Sequence, residues 1–302
     1  MGQETALSIK NAVLFVNANK KNSQSASCQI QGELEKRGIK TKVFSFNKKP
    51  ENPPEGKWDI AFSLGGDGTV LYTARCLAPL GVPILPVNLG SLGFIAGVDM
   101  DEWLDLFLKW EKREISLSHR CMFDISVKRG SQSVMKNICL NDAVISAAGI
   151  AKLIKLDVRL GAKADEGTTL GSYRCDGLII ATPTGSTAYS MAAGGPILDP
   201  EMEAVILNPI CPFTLSARPF VLTSKQTVEI TVAAQQRSGV LLTVDGQDTF
   251  NLECSDRIII GQSPYSAQLI FSDRHAYYSA LKNKLFWSGG NLDAAGGKDA
   301  HA

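Results

Sequence analysis

The chain has 302 residues, of which 31 are Lys or Arg and 30 are Asp or Glu, so its formal charge is +1 at pH 7. This balance argues against a general electrostatic attraction to nucleic acid or to anionic membranes. With 44% hydrophobic residues, the chain can bury a substantial core and is long enough for two domains of ordinary size.

Cysteine usage and the first residues indicate the compartment. The seven cysteines are scattered singly, without a C-x-x-C pair, which favours a reducing environment over a disulfide framework. The opening MGQETALSIK lacks the apolar stretch of a signal peptide, and no apolar run approaches the ~20 residues of a membrane span. The histidines lie far apart, which argues against a zinc site. We expect a cytoplasmic protein without nucleic-acid or membrane partners and without metal-ligating side chains.

Strand and helix patterns alternate through the first third of the chain. Apolar runs predict strands at 12–16, 41–46, 60–64 and 82–87. Helices are predicted from about Ser25 to the terminating Gly38, and again after Leu64. This alternation is typical of right-handed crossovers and a parallel sheet, which binds ligands at the carboxyl ends of its strands.

A further helix carries Trp103, Phe107 and Trp110 at helical spacing, which indicates a core-facing side. Asp99 and Glu102 before it resemble a capping box. From about His119, apolar and polar residues alternate, which predicts strands.

These patterns divide the chain into four parts. We predict an α/β domain with a parallel sheet over 1–118 and a strand-rich domain over 119–275. A C-terminal helix over 276–288 is expected to pack back on the first domain, followed by a flexible tail over 289–302.

The stretch GGDGT, residues 65–69, lies between a predicted strand and a predicted helix. Glycines allow the backbone to approach a ligand closely, and the N–H groups at a helix start attract anions. The stretch matches neither G-x-x-x-x-G-K-[ST] nor G-x-G-x-x-G. It predicts a phosphate loop, but a tight turn in which Asp67 or Thr69 only caps the helix explains it equally well.

A second stretch, TPTGSTAYSMAAGGPIL at 182–198, is dense in hydroxyl groups and glycines. Such a loop can surround a polar ligand while Tyr189 offers a face for stacking. The alternative is a Ser- and Thr-capped turn that leads into a helix of small residues. The composition favours the ligand-binding interpretation.

Polar residues also adjoin apolar runs at Asn141-Asp142, at Asp176 and at Asp245-Gly246-Gln247. Adjacent Asn and Asp side chains offer donors and acceptors that suit ribose hydroxyls or an amide. The Asp245-Gly246 pair is also typical of a hairpin turn. Each of these positions taken singly favours a structural role.

Together these stretches resemble the NAD kinase family over roughly residues 10–288. The matching motifs are GGDGT at 65–69, Asn141-Asp142, DGLIIATPTGSTAYSMAAGGPIL at 176–198, ARP at 217–219 and DGQ at 245–247. GGDGT is shared with the diacylglycerol, sphingosine and 6-phosphofructokinase groups, whereas TPTGSTAY is more specific to this family.

The resemblance implies phosphoryl transfer from ATP or polyphosphate to the 2′-hydroxyl of the adenosine ribose of NAD, which gives NADP. It also implies a site in the cleft between the two domains, a divalent metal such as Mg²⁺ or Mn²⁺, and a homodimer or homotetramer. Because the GGDGT loop contains no lysine, we expect backbone N–H groups and a metal held mainly by the nucleotide to bind the donor phosphates.

The resemblance also assigns roles to residues. Asp67 corresponds to the general base, with Gly68 beside it at the substrate, and with Asp67 in this role Thr69 becomes the better helix cap. The phosphate-side residues are Gly65, Gly66, Gly68 and Thr69. The expected NAD contacts are Asn141, Asp142, Lys152, Arg174, Asp176, Thr187, Ala188, Tyr189, Asp245 and Gln247. Asp142 stands where the family usually has Glu, and Ile95 stands where many members have Tyr or Leu.

Two other functions remain open at this point. A lipid or sugar kinase could share GGDGT, although the TPTGSTAY stretch counts against it. A non-catalytic sensor of NAD or NADP would bind without turnover, and Asp67 counts against it because binding alone requires no base.

Overall fold

A computed structural model describes residues 6–47, 54–90, 93–149, 152–161, 167–271, 277–278, 280–282 and 285. The strands in these residues are β1 Asn11–Asn17, β2 Lys40–Phe46, β3 Ile60–Gly65, β4 Ile84–Asn88, β5 Leu117–Arg129, β6 Gln132–Cys139, β7 Asp142–Ala147, β8 Ile154–Leu160, β9 Thr168–Cys175, β10 Gly177–Ala181, β11 Ala204–Ile210, β12 Phe220–Thr223, β13 Val228–Val232, β14 Val240–Val244, β15 Asp248–Leu252 and β16 Arg257–Ile270. The α-helices are α1 Ser23–Lys36, α2 Asp67–Leu77, α3 Trp103–Glu111 and α4 Tyr189–Ala192, with 3-10 turns at Ala78–Leu80 and Thr184–Thr187.

The predicted parallel sheet is confirmed in the first part of the chain. Its strands run in the order β2-β1-β3-β4, and all of these neighbours pair in parallel. β1, β3 and β4 are mostly apolar and are buried almost throughout, as expected for a sheet covered on both faces. The carboxyl ends of these three strands meet at one edge, where Gly65 pairs with Asn88.

The helices of this part show which local predictions were right. Gly38, just after α1, has φ +75°, the left-handed conformation predicted for the residue that ends this helix. Trp103 and Phe107 of α3 pack on Phe62, so the predicted core-facing side is confirmed. The predicted capping box is wrong: no side-chain hydrogen bond caps α3, and the Glu102 N–H donates to the backbone carbonyl of Asp99 instead.

The second part of the chain is rich in strands, as predicted, and these strands pair with one another in antiparallel. Six of them form a separate sheet in the order β12-β11-β10-β7-β14-β15. The first sheet continues beyond β4 through β16, β13, β8 and β9, and β5 and β6 extend from β16. Side chains from both sheets, such as Ile145 and Ile230, share one apolar core. The strands of the second part therefore form a two-layer packing.

β16 joins the two parts of the molecule. It pairs in parallel with β4 at Leu269 and in antiparallel with β5 and β13. Ala267, Leu269 and Phe271 lie in the apolar core under α2. The division at 118 and 119 stays a prediction, and one sheet crosses that point of the sequence.

Three further predictions concern membrane-spanning helices, the cysteines and the C-terminus. None of the helices in the described ranges has the length and apolar character needed to cross a membrane. All seven cysteines are free thiols. The proposed tail at 289–302 lies outside the described residues, as does most of the predicted helix at 276–288. Within that helix, the Tyr277 hydroxyl donates to the Leu198 carbonyl.

Candidate active site

The GGDGT stretch forms the turn between β3 and α2. Gly65 ends the strand, and the extended Gly66 precedes the first helical residue, Asp67. A methyl group on Gly65 would lie 2.1 Å from the Thr69 hydroxyl oxygen, so this turn requires glycine. The first N–H groups of α2 face outward from the helix start, where an anion is favoured.

The suggestion that a side chain caps α2 is wrong. No side-chain hydrogen bond caps this helix. Thr69 lies within its first turn, and its buried hydroxyl oxygen has no hydrogen-bond partner among the described residues. The Asp67 side chain points away from its own helix.

The Asp67 carboxylate binds the loop that follows β4. It accepts hydrogen bonds from the N–H groups of Phe94 at 3.0 Å, Ile95 at 3.2 Å and Ala96 at 2.8 Å. Gly93 makes room for it, because a methyl group there would lie only 1.8 Å from a carboxylate oxygen. The side chain is therefore fixed in orientation at the sheet edge.

Ile95 belongs to the core under α2. Its side chain is 3% exposed and packs with Val70 and Leu140. The buried Ile95 side chain therefore anchors this loop in the core, while the Ile95 backbone N–H donates to Asp67.

The Asp245 carboxylate organises the turn before β7. It accepts hydrogen bonds from the N–H groups of Leu140 at 3.1 Å, Asn141 at 2.8 Å and Asp142 at 3.2 Å. Asp245 and Gly246 both have positive φ in the turn between β14 and β15, so the predicted hairpin turn is confirmed. The Asp245 carboxylate, a predicted NAD contact, is therefore already hydrogen-bonded to the protein's own backbone.

The TPTGSTAY stretch lies against the same turn. The Thr182 N–H donates to the Asn141 carbonyl at 2.8 Å, and the Thr182 hydroxyl donates to the Leu140 carbonyl. A methyl group on Gly185 would lie 2.1 Å from the Asn141 carbonyl oxygen, which explains the glycine. The Ser186 hydroxyl accepts from the Leu198 N–H at 3.0 Å. Several of these hydroxyl groups therefore hold the loop together, as the structural alternative proposed.

The turn before β7, the β14–β15 hairpin and the TPTGSTAY stretch line an open cavity of about 380 Å³. Its lining comprises Asn141, Asp142, Val144, Ser146, Ala188, Tyr189, Thr243, Asp245 and Gly246. Tyr189 is half-exposed and presents its ring there, whereas Thr187 is buried and donates to the Thr184 carbonyl at 3.3 Å. The cavity joins predicted site residues that are far apart in sequence.

Two buried carboxyl groups lie at this cavity. Burial and then repulsion from Asp245 raise the pKa of Asp142 to about 7. Burial also raises the pKa of Asp245, although the Arg75 guanidinium and the three backbone N–H groups oppose this effect. Near neutral pH, Asp142 can therefore either donate or accept a hydrogen bond.

Gln247 and Arg75 connect the hairpin to the GGDGT helix. The Gln247 amide nitrogen donates to the Gly68 carbonyl at 2.7 Å, and its oxygen accepts from Arg75 at 2.7 Å. Arg75 also lies 3.3 Å from a carboxylate oxygen of Asp248 and 3.8 Å from one of Asp245. Sequence reasoning missed Arg75, whose only signal is a cation on an otherwise mostly apolar helix.

Other predicted contacts lie apart from this cavity. Lys152 and Arg174 line a second cavity, of about 520 Å³, and the Arg174 guanidinium stacks 5.0 Å from the Phe213 ring centre. Asp176 is half-buried at the start of β10, where its carbonyl accepts from the Ala147 N–H. Their assignment to NAD stays a prediction.

Comparison with known proteins agrees with this arrangement. Residues 1–113 match the family model of the ATP-NAD kinase N-terminal domain, and residues 140–272 match that of the ATP-NAD kinase C-terminal domain. An NAD kinase of Treponema denticola is 39% identical over 282 residues, which cover 93% of this chain and 98% of the relative. An NAD kinase of Geobacter sulfurreducens is 33% identical over 92% of this chain and 99% of its own length.

Solved structures show the same fold. Yeast NADH kinase complexed with NADH superposes with a TM-score of 0.81 at 22% identity, over 93% of this chain and 89% of that one. An NAD kinase from Archaeoglobus fulgidus in complex with ATP gives a TM-score of 0.69 at 24% identity, over 92% and 99%. With both domain models matched in order and relatives similar over nearly their whole length, the chain belongs to the NAD kinase family.

Proposed function

We propose that this protein transfers the terminal phosphoryl group of ATP to the 2′-hydroxyl of the adenosine ribose of NAD, giving NADP and ADP. The observation that carries the proposal is the position of Asp67. Its carboxylate stands at the start of the phosphate-loop helix, and Gln247 bonds the next residue, Gly68, to the hairpin that lines the Asn141 and Tyr189 cavity. A donor phosphate and an NAD ribose can therefore meet beside one carboxylate.

Asp67 is the proposed general base. The ribose oxygen attacks the terminal phosphorus, the bond to the ADP oxygen breaks, and the hydroxyl proton passes to the carboxylate. The bonds from Phe94, Ile95 and Ala96 fix the orientation of the carboxylate. Oδ1 accepts two of these bonds, whereas Oδ2 accepts only the one from Phe94 and so keeps a second acceptor direction for the proton.

The phosphate side relies on the loop backbone. Gly65, Gly66 and Gly68 leave room for phosphate oxygens to approach the N–H groups at the helix start. Among the described residues, no group of three His, Cys, Asp or Glu side chains could hold a metal ion. We propose that the divalent cation enters as part of the substrate MgATP.

The cavity is the proposed NAD site. Asn141 and Asp142 would bind ribose hydroxyls and the amide, while Ala188 and Tyr189 would line the base pockets. A homodimer or homotetramer in the cytoplasm completes the proposal; near-neutral charge, free thiols and the family relationship support it.

Turnover tests this function directly. The full chain is incubated with NAD, ATP and Mg²⁺, and NADP is measured by coupling to an NADP-specific dehydrogenase; polyphosphate replaces ATP in a parallel reaction. NADP formation with ATP supports the proposal, whereas NADP formation with polyphosphate alone would keep the NAD phosphorylation and change the donor. Tight NAD binding with no NADP from any donor would instead identify a sensor.

A further inference from the structure

Lys20 lies beside the phosphate loop although it belongs to a different connection. Lys20 is exposed in the turn between β1 and α1. A methyl group built on Gly66 would lie 3.8 Å from the Lys20 ammonium nitrogen, and one built on Gly90 would lie 3.6 Å from it. The cation therefore stands between the loop after β3 and the loop after β4.

Sheet order explains this placement. β1, β3 and β4 are adjacent parallel strands, so the connections that follow them emerge at the same edge. The absence of side chains at Gly66 and Gly90 leaves the ammonium group open to this edge. The lysine that the GGDGT loop lacks in sequence is thus supplied by another strand connection.

Hydrogen bonds fix the connection that carries Lys20 and one of the two loops beside its ammonium group, the loop after β4. The Lys20 N–H donates to the Asn17 carbonyl at 3.1 Å, and the Ser23 N–H donates to the Lys20 carbonyl at 3.2 Å. The Asn88 side chain accepts from the Gly90 N–H at 3.1 Å and donates to the Gly90 carbonyl at 3.0 Å. The backbone from which the Lys20 side chain extends and the backbone of the loop after β4 are therefore both held in place.

Among the residues that the structure describes, Lys20 has no counterion, since none of the ion pairs includes it. An unneutralised ammonium beside a helix start adds a full positive charge to the partial charge of the helix dipole. Both favour the same class of ligand, a phosphate oxygen.

We propose that the Lys20 ammonium binds the phosphates of the phosphoryl donor. The inference rests on the proposed function. It adds a side-chain cation to the backbone N–H groups and the nucleotide-bound metal that were proposed to hold the donor phosphates. The proposed base is the Asp67 carboxylate, and a protonated ammonium group has no lone pair with which to accept the hydroxyl proton. The role of Lys20 is therefore to hold the donor in position, without taking part in proton transfer.

Kinetics of three full-length variants test this role. Lys20→Ala removes the cation, Lys20→Arg preserves it, and Lys21→Ala removes the same charge one residue away in the same exposed turn. For Lys20→Ala we expect the kcat/KM for MgATP to fall by about 10- to 100-fold, as for the loss of one charge-assisted hydrogen bond. The KM for NAD should not change, Lys20→Arg should recover most of the loss, and Lys21→Ala should match the wild type.

A nucleotide-free probe separates phosphate contact from adenosine contact and from failure of the proposed function. Binding of tripolyphosphate, measured by calorimetry without NAD, should weaken in Lys20→Ala and remain unchanged in Lys21→Ala. This measurement decides the role of Lys20 even if the wild type makes no NADP. Equal effects of the two alanine variants, a change confined to the KM for NAD, or unaltered tripolyphosphate binding would overturn the proposal.

Discussion

Gly93 sets the position of the Asp67 carboxylate. Its backbone φ is not in the left-handed region, so alanine is allowed there by the backbone, but the added methyl group would lie 1.8 Å from a carboxylate oxygen. We predict that Gly93→Ala displaces Asp67 and lowers kcat by at least about tenfold, since a displacement of the order of 1 Å can cost more than that. Steady-state kinetics with circular dichroism of the folded variant measure the effect.

Gly32 in α1 provides the matched control for this glycine substitution. A methyl group there would meet no atom within 4 Å. Gly32→Ala should keep full activity and stabilise the protein by about 0.5–1 kcal/mol, because alanine is the better helix residue. Equal activity of the two variants would show that Gly93 does not position the base.

Asp142 makes stability depend on pH. Burial is the main cause that raises the pKa of Asp142 in the folded protein from its ordinary 3.8 to about 7, so between these pH values the folded state retains a proton that the unfolded state has lost. The folded state therefore loses stability as the pH rises from about 4 to 7. Asp142→Asn removes this ionisation, and its Tm relative to wild type should be higher at pH 8 than at pH 4.

Thermal unfolding at several pH values tests this second prediction. Asp101→Asn, at an exposed position, controls for the loss of one negative charge. A difference between Asp142→Asn and the wild type that stays constant from pH 4 to pH 8 would contradict the expectation.

At the scale of elements, Arg75 links α2 to the hairpin of β14 and β15. Its side chain is 8% exposed and faces Asp245, which is completely buried, and Asp248, at 18%. Arg75→Met would leave these carboxylates without their cation, and we predict a loss of about 3 kcal/mol or more in the free energy of unfolding. Gln247→Ala removes hydrogen bonds but no charge and should cost only about 1–2 kcal/mol. Urea unfolding compares the two, and equal losses would argue against a charge-based link.

The elements near the site differ in how far their sequence predicts them. The apolar run before GGDGT and the helical pattern after it place the strand, loop and helix correctly, because side-chain burial follows local periodicity. The caps of α2 and α3 follow less directly from the sequence. Backbone hydrogen bonds to the carbonyls of Gly66 and Asp99 stand at these helix starts in place of the predicted side-chain caps. The Arg75 to Gln247 bond spans 172 residues, so only the tertiary fold brings these side chains together.

For the whole molecule, β16 is the strand on which both parts depend. Through Leu269 it covers the edge of β4, and its last residues fill the core beneath α2. A fragment of residues 1–118 lacks these contacts and leaves that edge unpaired. We predict that the fragment does not fold cooperatively, whereas the full chain does. Near-UV circular dichroism during urea titration provides the measurement, and a sharp transition in the fragment would contradict the prediction.

Asp67 is the proposed base in the phosphorylation of NAD. Asp67→Asn keeps one oxygen that can accept from the loop N–H groups and removes the basic site. The decisive measurement compares kcat and NAD affinity of this variant with those of the wild type. We predict that kcat falls by about 10²- to 10⁴-fold while NAD binding survives. Unchanged kcat, or loss of NAD binding with an intact rate per bound substrate, would contradict it.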